Sequence, residues 1–184
     1  MGAGRLIVRQ PGRSDGLAMF ELVRGCPPLD VNSVYVYLLL AEHFSDTCIV
    51  FEDEEGLSGL VTAYRPPARP DVLFVWQVAV APRARGQRLG LQMLHALLGR
   101  SGLQTIQSIE TTVGADNGPS RRMFGTLARS LQAPIAEAPL FGADLFGAEG
   151  HEAEPLLRIG PFETSAIFMA DDKHKGDTHG LKNL

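Results

Sequence analysis

The chain has 184 residues, a formal net charge of -4, 45% hydrophobic residues and 21% charged residues. That length suits one domain with a core that needs no staples, and the composition excludes disorder as the main state. The mild negative charge argues against nucleic acid or an anionic membrane as partner, and no run reaches the roughly 18 apolar residues of a membrane span.

Met1 to Gln10 lacks the apolar core of a secretory signal. Two cysteines, Cys26 and Cys48, make no disulfide framework, so a reducing cytoplasm is the expected compartment. Arg5 to Arg9 reads as a first strand. Asp15 to Arg24 carries Leu17, Met19, Phe20 and Val23 at helical spacing, with Ser14 as the expected N-cap. Gly25-Cys26-Pro27-Pro28 breaks that helix, because proline removes a donor and restricts its predecessor. A second, more apolar helix is expected from Ser33 to His43. Thr47 to Glu52 and Leu57 to Tyr64 read as a hairpin around Glu54-Glu55-Gly56. After the proline-rich loop Arg65 to Pro70, Val72 to Val80 is nearly all apolar, as in a strand covered on both faces.

Arg88 to Arg100 reads as a helix with a broad leucine face, Thr105 to Thr112 as a strand, and Pro119 to Leu131 as a helix with Met123, Phe124, Leu127 and Leu131 in one stripe. Ala133 to Gly150, with its glycines and prolines, reads as a partly ordered loop over a cleft. Glu154 to Ile159 and Thr164 to Met169 are the last expected strands. Residues 1–170 form one expected domain, and 171–184 a disordered polar tail in which His174 and His179 are solvated. A hairpin ahead of a strand–helix–strand crossover predicts an α/β fold, a mixed sheet with helices on its faces.

The chemistry centres on Val75 to Leu98. A buried strand ends at Val80, the basic loop Arg83 to Gly90 follows, and a helix starts at once. First-turn N–H groups lack intrahelical partners and carry partial positive charge, so this corner suits a phosphate or pyrophosphate, with Arg83, Arg85 and Arg88 as countercharge. It also reads as a plain basic turn. It contains neither GxxxxGK[ST] nor GxGxxG, which disfavours magnesium-nucleotide and dinucleotide chemistry. No metal-ligand spacing is present, and neither cysteine has the setting of a covalent nucleophile.

Arg85-Gly86-Gln87-Arg88-Leu89-Gly90 resembles the acyl-coenzyme A loop of the GNAT family of N-acetyltransferases, whose pattern is Arg/Gln-x-x-Gly-x-Gly/Ala. It departs at Arg88, where the pattern has glycine. The resemblance implies the GNAT fold, a mixed sheet splayed around an acetyl-CoA site. It implies that amides from Gln87 to Gly90 hold the pyrophosphate, with Arg85 and Gly86 beside them. The strand edge at Val78 and Val80 would then pair with the pantetheine arm, an amide near Val78 facing the thioester oxygen. Asn117, opening the next helix, matches a second family feature; it also has a plain role as an N-cap.

Several stretches resemble one branch of that family, the L-2,4-diaminobutyrate acetyltransferases of ectoine biosynthesis, which make a compatible solute used in osmoprotection. These are Cys26 to Ser33, Tyr35 to Leu39, Val75 to Val80, Glu110 to Thr112, Glu152 to Glu154 and Leu157 to Ile159. The resemblance implies acetyl transfer to the 4-amino group of diaminobutyrate, with Asp30, Trp76, Thr112 and Glu152 or Glu154 as substrate contacts and a possible homodimer. A diamino acid needs acids for its ammonium groups and donors for its carboxylate. Asp30 sits in a loop beside prolines, Glu152 and Glu154 would share a strand face, and Trp76 offers a wall and cation–π contact. Plainer readings stand beside these: Asp30 as an N-cap, Trp76 as core, the two glutamates as a solvated edge.

Transfer needs a neutral amine, so a carboxylate must take a proton from an ammonium of pKa ~10. Glu154 is the candidate base, with Glu152 behind it, and the Val78 amide is the oxyanion donor. Where many family members have a tyrosine to protonate the leaving thiolate, this chain has Phe124; Tyr35, Tyr37 or water are the substitutes, or no acid is needed, since a thiolate is a fair leaving group. The competing readings are a GNAT enzyme for another small amine, and a non-catalytic coenzyme-binding module.

Overall fold

The computed structural model describes residues 6–149 and 152–163. The strand expected at Thr164 to Met169 and the tail from 171 lie outside the described residues. The elements are β1 (Ile7–Arg9), α1 (Gly16–Arg24), α2 (Val34–His43), β2 (Ile49–Asp53), β3 (Gly56–Tyr64), β4 (Val72–Val80), α3 (Leu89–Leu98), β5 (Ser108–Thr112), α4 (Gly118–Ser130), β6 (Ile135–Phe141) and β7 (Glu154–Ile159). They build a seven-stranded sheet in the order β1-β2-β3-β4-β5-β7-β6. Only β4 and β5 run parallel, joined by the α3 crossover; the other pairs are antiparallel. This is the mixed α/β architecture expected.

Alternate residues of β4 sort the helices onto two faces. Gln77 reaches Tyr37 of α2 on one side, while Val78 and Val80 approach Gly90 of α3 on the other. Apolar residues fill both layers: Met19, Val23, Tyr37 and Leu40 under α1 and α2, and Met93, Leu94, Leu97 and Leu127 under α3 and α4. Within the first layer α1 and α2 pack closely, since a Cβ at Gly16 would meet Leu38 Cδ2 at 2.6 Å. Among the described residues no helix is long and apolar enough to cross a membrane.

Two local expectations are corrected. Ser14 lies within a 3-10 turn, Arg13–Asp15, and Asp15 takes the N-cap position of α1 without a side-chain cap bond, its carboxylate being engaged by Arg9 and the Gly12 N–H. The stretch from Ala133, expected as a loop, contains the strand β6, every residue of which is exposed. Neither face of it is buried, so the alternation that reveals a half-buried strand never appears.

Candidate active site

The site begins with a defect in β4. Thr62 of β3 pairs with Gln77 and Ala63 with Val75, so Trp76 is an extra, unpaired residue: a β-bulge. The Gln77 N–H donates to the buried Thr62 Oγ1 at 3.2 Å. On the other side, β4 and β5 are paired only at Val72–Ser108, Leu73–Ile109 and Phe74–Glu110. Past Phe74 the two strands splay, leaving one edge of β4 without a strand neighbour. The Ala81 and Gln77 N–H groups both point to β3. By alternation, those of Val78 and Val80 point to the open edge. The Val80 carbonyl on that edge accepts from Arg85 Nε and Cys26 Sγ, each at 3.3 Å.

The open edge is one wall of a cavity of about 780 Å³. It is also lined by the loop and first turn of α3, through Arg85, Gly86, Arg88, Leu89 and Gly90, and by α4 with Asn117. Two residues of the loop are left-handed: Gly86 at φ 82° and Arg88 at φ 57°. The departure from the family pattern therefore keeps the backbone that glycine would adopt, at a cost on the order of 1–2 kcal/mol for a side chain there. A Cβ at Gly90 would lie 2.7 Å from Met123 Sδ, so a side chain there would have to displace the Met123 side chain. Asn117 also caps α4, its Oδ1 accepting from the Ser120 N–H at 3.2 Å.

Gln87 lies outside this lining, its carbonyl accepting from Gln92 Nε2. Arg83 is a correction: it is held away by Asp53 at 2.7 Å and Glu55 at 3.3 Å, so it supplies no countercharge to the cavity. Its place is taken by two cations the sequence reading passed over, Arg122 and Arg129. With Arg85 and Arg88 they give the cavity four arginines, none ion-paired among the described residues. Their spacing, seven apart on a helix that also presents Met123 and Thr126 to the cavity, was a signal in the sequence. Free amides, a vacant strand edge and four cations fit a long, polyanionic cofactor with an amide-bearing arm.

A second cavity, about 630 Å³, lies where β4 and β5 part. Trp76 and Thr112 both line it, with Phe74, Tyr64, Arg69 and Glu110. Trp76 is 41% exposed, a cavity wall rather than core. Thr111 is buried on the opposite face. Asp30 is exposed and is not the cap of α2, a position taken by Ser33. Its backbone is fixed beside the site, the carbonyl accepting from Gln77 Nε2 at 2.7 Å. Gln77 Oε1 in turn accepts from Tyr37 Oη at 3.1 Å, so the fully buried Tyr37 is committed to this network. Tyr35 is exposed on the surface. Gln77 thus ties the bulge, the Asp30 loop and α2 together.

Glu154, half-buried, opens β7 opposite Phe141. Alternation along β7 puts it on the face of Leu156, which pairs with Thr112 and lines the same cavity. Glu152 precedes the strand and is exposed, so the shared face expected of the two glutamates is not realised. Phe124 is buried in the core, and Met123 faces the cavity instead. Burial pushes the Cys48 thiol up to about 11, which leaves it inert. Among the described residues no cluster of His, Cys, Asp and Glu could hold a metal ion.

Comparison with known proteins agrees with this geometry. The Acetyltransferase (GNAT) family matches residues 17–127. The chain is 53% identical over 159 residues to the L-2,4-diaminobutyric acid acetyltransferase of Bordetella parapertussis, covering 86% of each chain. It is 46% identical over 163 residues to that of Chromohalobacter salexigens, covering 88% of this chain and 84% of the relative. Among solved structures, the diaminobutyrate acetyltransferase EctA of Paenibacillus lautus, in complex with its substrate L-2,4-diaminobutyric acid and coenzyme A, superposes with a TM-score of 0.84 at 40% identity, covering 87% of this chain and 97% of that one.

Proposed function

The chain belongs to the Acetyltransferase (GNAT) family, and within it to the L-2,4-diaminobutyric acid acetyltransferases; on that premise we propose that it transfers acetyl from acetyl-CoA to the 4-amino group of L-2,4-diaminobutyrate. The product is N4-acetyl-L-2,4-diaminobutyrate, for ectoine biosynthesis. The observation that carries this reading is the open edge of β4, with outward Val78 and Val80 amides between an arginine-lined cleft and the Trp76 cavity.

The arginine-lined cleft and the first turn of α3 hold the diphosphate. The Val80 edge aligns the pantetheine arm once Arg85 and Cys26 release its carbonyl. Asp30, Trp76, Thr112 and Glu154 receive the diamino acid, the carboxylates facing its ammonium groups. Glu154, directly or through water, takes the proton from the 4-ammonium; Glu152 lies one step behind. The freed amine forms a bond to the thioester carbon. The Val78 N–H donates to the carbonyl oxygen as it gains charge, a contribution of about 3 kcal/mol for such a donor. The C–S bond then breaks, the proton still carried by the attacking nitrogen passes through water to the departing thiolate, and no tyrosine on α4 is needed, where Phe124 is core. Transfer is direct, within a ternary complex. One domain over residues 1–170, a cytoplasmic setting and a homodimer complete the proposal; exposed Ile135, Leu140 and Phe141 on the edge strand β6 support contact with a second copy.

The test mixes purified protein, acetyl-CoA and a panel of amines, follows free thiol, and locates the acetyl group by fragmentation of the product. Thiol release with diaminobutyrate and acetylation at N4 is the expected result. Release with another amine alone, or binding without release, would replace the proposal with one of its competitors. Glu154→Gln should lower turnover about 10²-fold or more with the acetyl-CoA KM near its original value; weakened acetyl-CoA binding instead would remove Glu154 from the amine pocket.

A further inference from the structure

The diamino acid brings one group that no residue named so far receives: its carboxylate. Burying that anion needs a donor, preferably a charged and forked one. The second cavity is largely apolar, walled by Tyr64, Phe74, Trp76 and Leu156, and it contains one cation and one anion, Arg69 and Glu110. Glu110 is 1% exposed and cannot itself meet a substrate without losing its partners. Arg69 Nη1 donates to Glu110 Oε1 at 2.6 Å, and Arg158 Nη1 stands 3.7 Å from the same oxygen while its Nη2 reaches Ser108 Oγ. Two guanidinium groups share this one carboxylate, and the Asp71 carboxylate adds its attraction on Arg69. The Arg69 side chain is 47% exposed, so one arm of its fork is anchored and the rest stays at the cavity.

We infer that Arg69, held by Glu110, is the receptor for the substrate's α-carboxylate and sets the enzyme's preference for a diamino acid over a plain diamine. The inference rests on the proposed substrate. The register supports it. Glu110 pairs with Phe74 at the last bonded step of β4 and β5, and Thr112 lies two residues further, at the splay. Two residues along a strand advance about 7 Å, a span that the extended chain from carboxylate to N4 bridges with its hydrogen bonds. A carboxylate at Arg69 therefore delivers the 4-amino group to the level of Trp76 and Thr112, next to the Val78 amide.

The experiment compares L-2,4-diaminobutyrate with 1,3-diaminopropane, the same molecule without its carboxylate, as acetyl acceptors for the full chain. Wild type should favour the amino acid in kcat/KM by on the order of 10²-fold or more, since a site built for a polar group rejects the analogue lacking it. Arg69→Met should erase most of that preference by losing activity on the amino acid alone, with diaminopropane turnover and acetyl-CoA KM within about twofold. Arg69→Lys should fall between, keeping the charge but losing the fork. Arg69→Met/Glu110→Gln should show the same selectivity loss without leaving a buried carboxylate that has lost its 2.6 Å partner and keeps only Arg158 at 3.7 Å, which keeps the test valid should the single variant fold poorly. Equal losses on both acceptors, or an unchanged preference, overturn the assignment while leaving the proposed reaction standing. A wild type that acetylates neither compound removes the proposed reaction and this assignment together.

Discussion

Gln77 makes the sharpest test of how the reaction edge is held. Gln77→Leu keeps the volume of the side chain and removes both of its polar ends. The Tyr37 hydroxyl, on a residue with 0% exposure, loses its acceptor, and the Asp30 carbonyl loses a donor at 2.7 Å. A stranded buried hydroxyl costs about 1–3 kcal/mol and the second bond about 0.5–1.5 kcal/mol. The expected loss is therefore about 1.5–4.5 kcal/mol, or roughly 3–18 °C in Tm for a chain of this size. Adding Tyr37→Phe removes the stranded hydroxyl, so Gln77→Leu/Tyr37→Phe should regain about 1–2 kcal/mol over the single variant. Kinetics report the other half. With the Asp30 loop unpinned, KM for diaminobutyrate should rise by about tenfold while KM for acetyl-CoA changes by less than about twofold. Urea melts and steady-state thiol release measure both. A double variant less stable than Gln77→Leu, or equal KM changes for both substrates, would refute the account of Gln77 as the tie between bulge and loop.

Arg83→Ala should leave the acetyl-CoA KM within about twofold and cost under ~1 kcal/mol of stability, because its partners are Asp53 and Glu55 at a partly exposed site; a large rise in that KM would return Arg83 to the cleft. Arg88→Gly should relieve left-handed strain at φ 57°, leaving stability within about 1 kcal/mol of wild type, yet raise the acetyl-CoA KM by removing a charge from the lining. The Arg9 guanidinium holds the Asp15 carboxylate below its ordinary 3.8, against the opposing effect of burial. A lowered folded pKa contributes stability that is present above 3.8 and lost as pH falls through the folded value. Denaturant melts at pH 7 and pH 3 should therefore show a steeper acid loss for wild type than for Asp15→Asn, and parallel losses would contradict the pairing.

Most of the fold was legible because its signals were period and punctuation. The apolar run of β4, the hairpin around Gly56 and the leucine face of α3 each match a buried strand, a tight turn and a core helix. β6 was not legible, since Ile135–Phe141 is exposed throughout and includes Pro139, so it offers neither alternation nor an apolar run. What makes it a strand is its ladder with β7, a long-range pairing that no local pattern records. Ser14 and Arg83 fail as well. Each had the right chemistry for a local role, but Ser14 lies inside a 3-10 turn that shifts the helix start to Asp15, and Arg83 is claimed by Asp53, thirty residues earlier.

The site divides the same way. The coenzyme side was readable because a strand end, a glycine-bearing loop and a helix N-terminus are contiguous in the chain, and their backbone does the binding. The amine side is assembled from five separated elements, so its members appear in the sequence only as polar residues where none is expected. Gln77 in the apolar run of β4 and Glu110 in β5 were such signs: a polar group that is 6% or 1% exposed must have partners, and here the partners are Tyr37 and Asp30 for one, Arg69 and Arg158 for the other. A buried polar residue in a strand that ends at a splay thus marks the element others are pinned to. The bulge at Trp76 explains why both pins sit where they do, because the extra residue bends β4 away from β5 and opens, between them, the gap in which amine and thioester must meet.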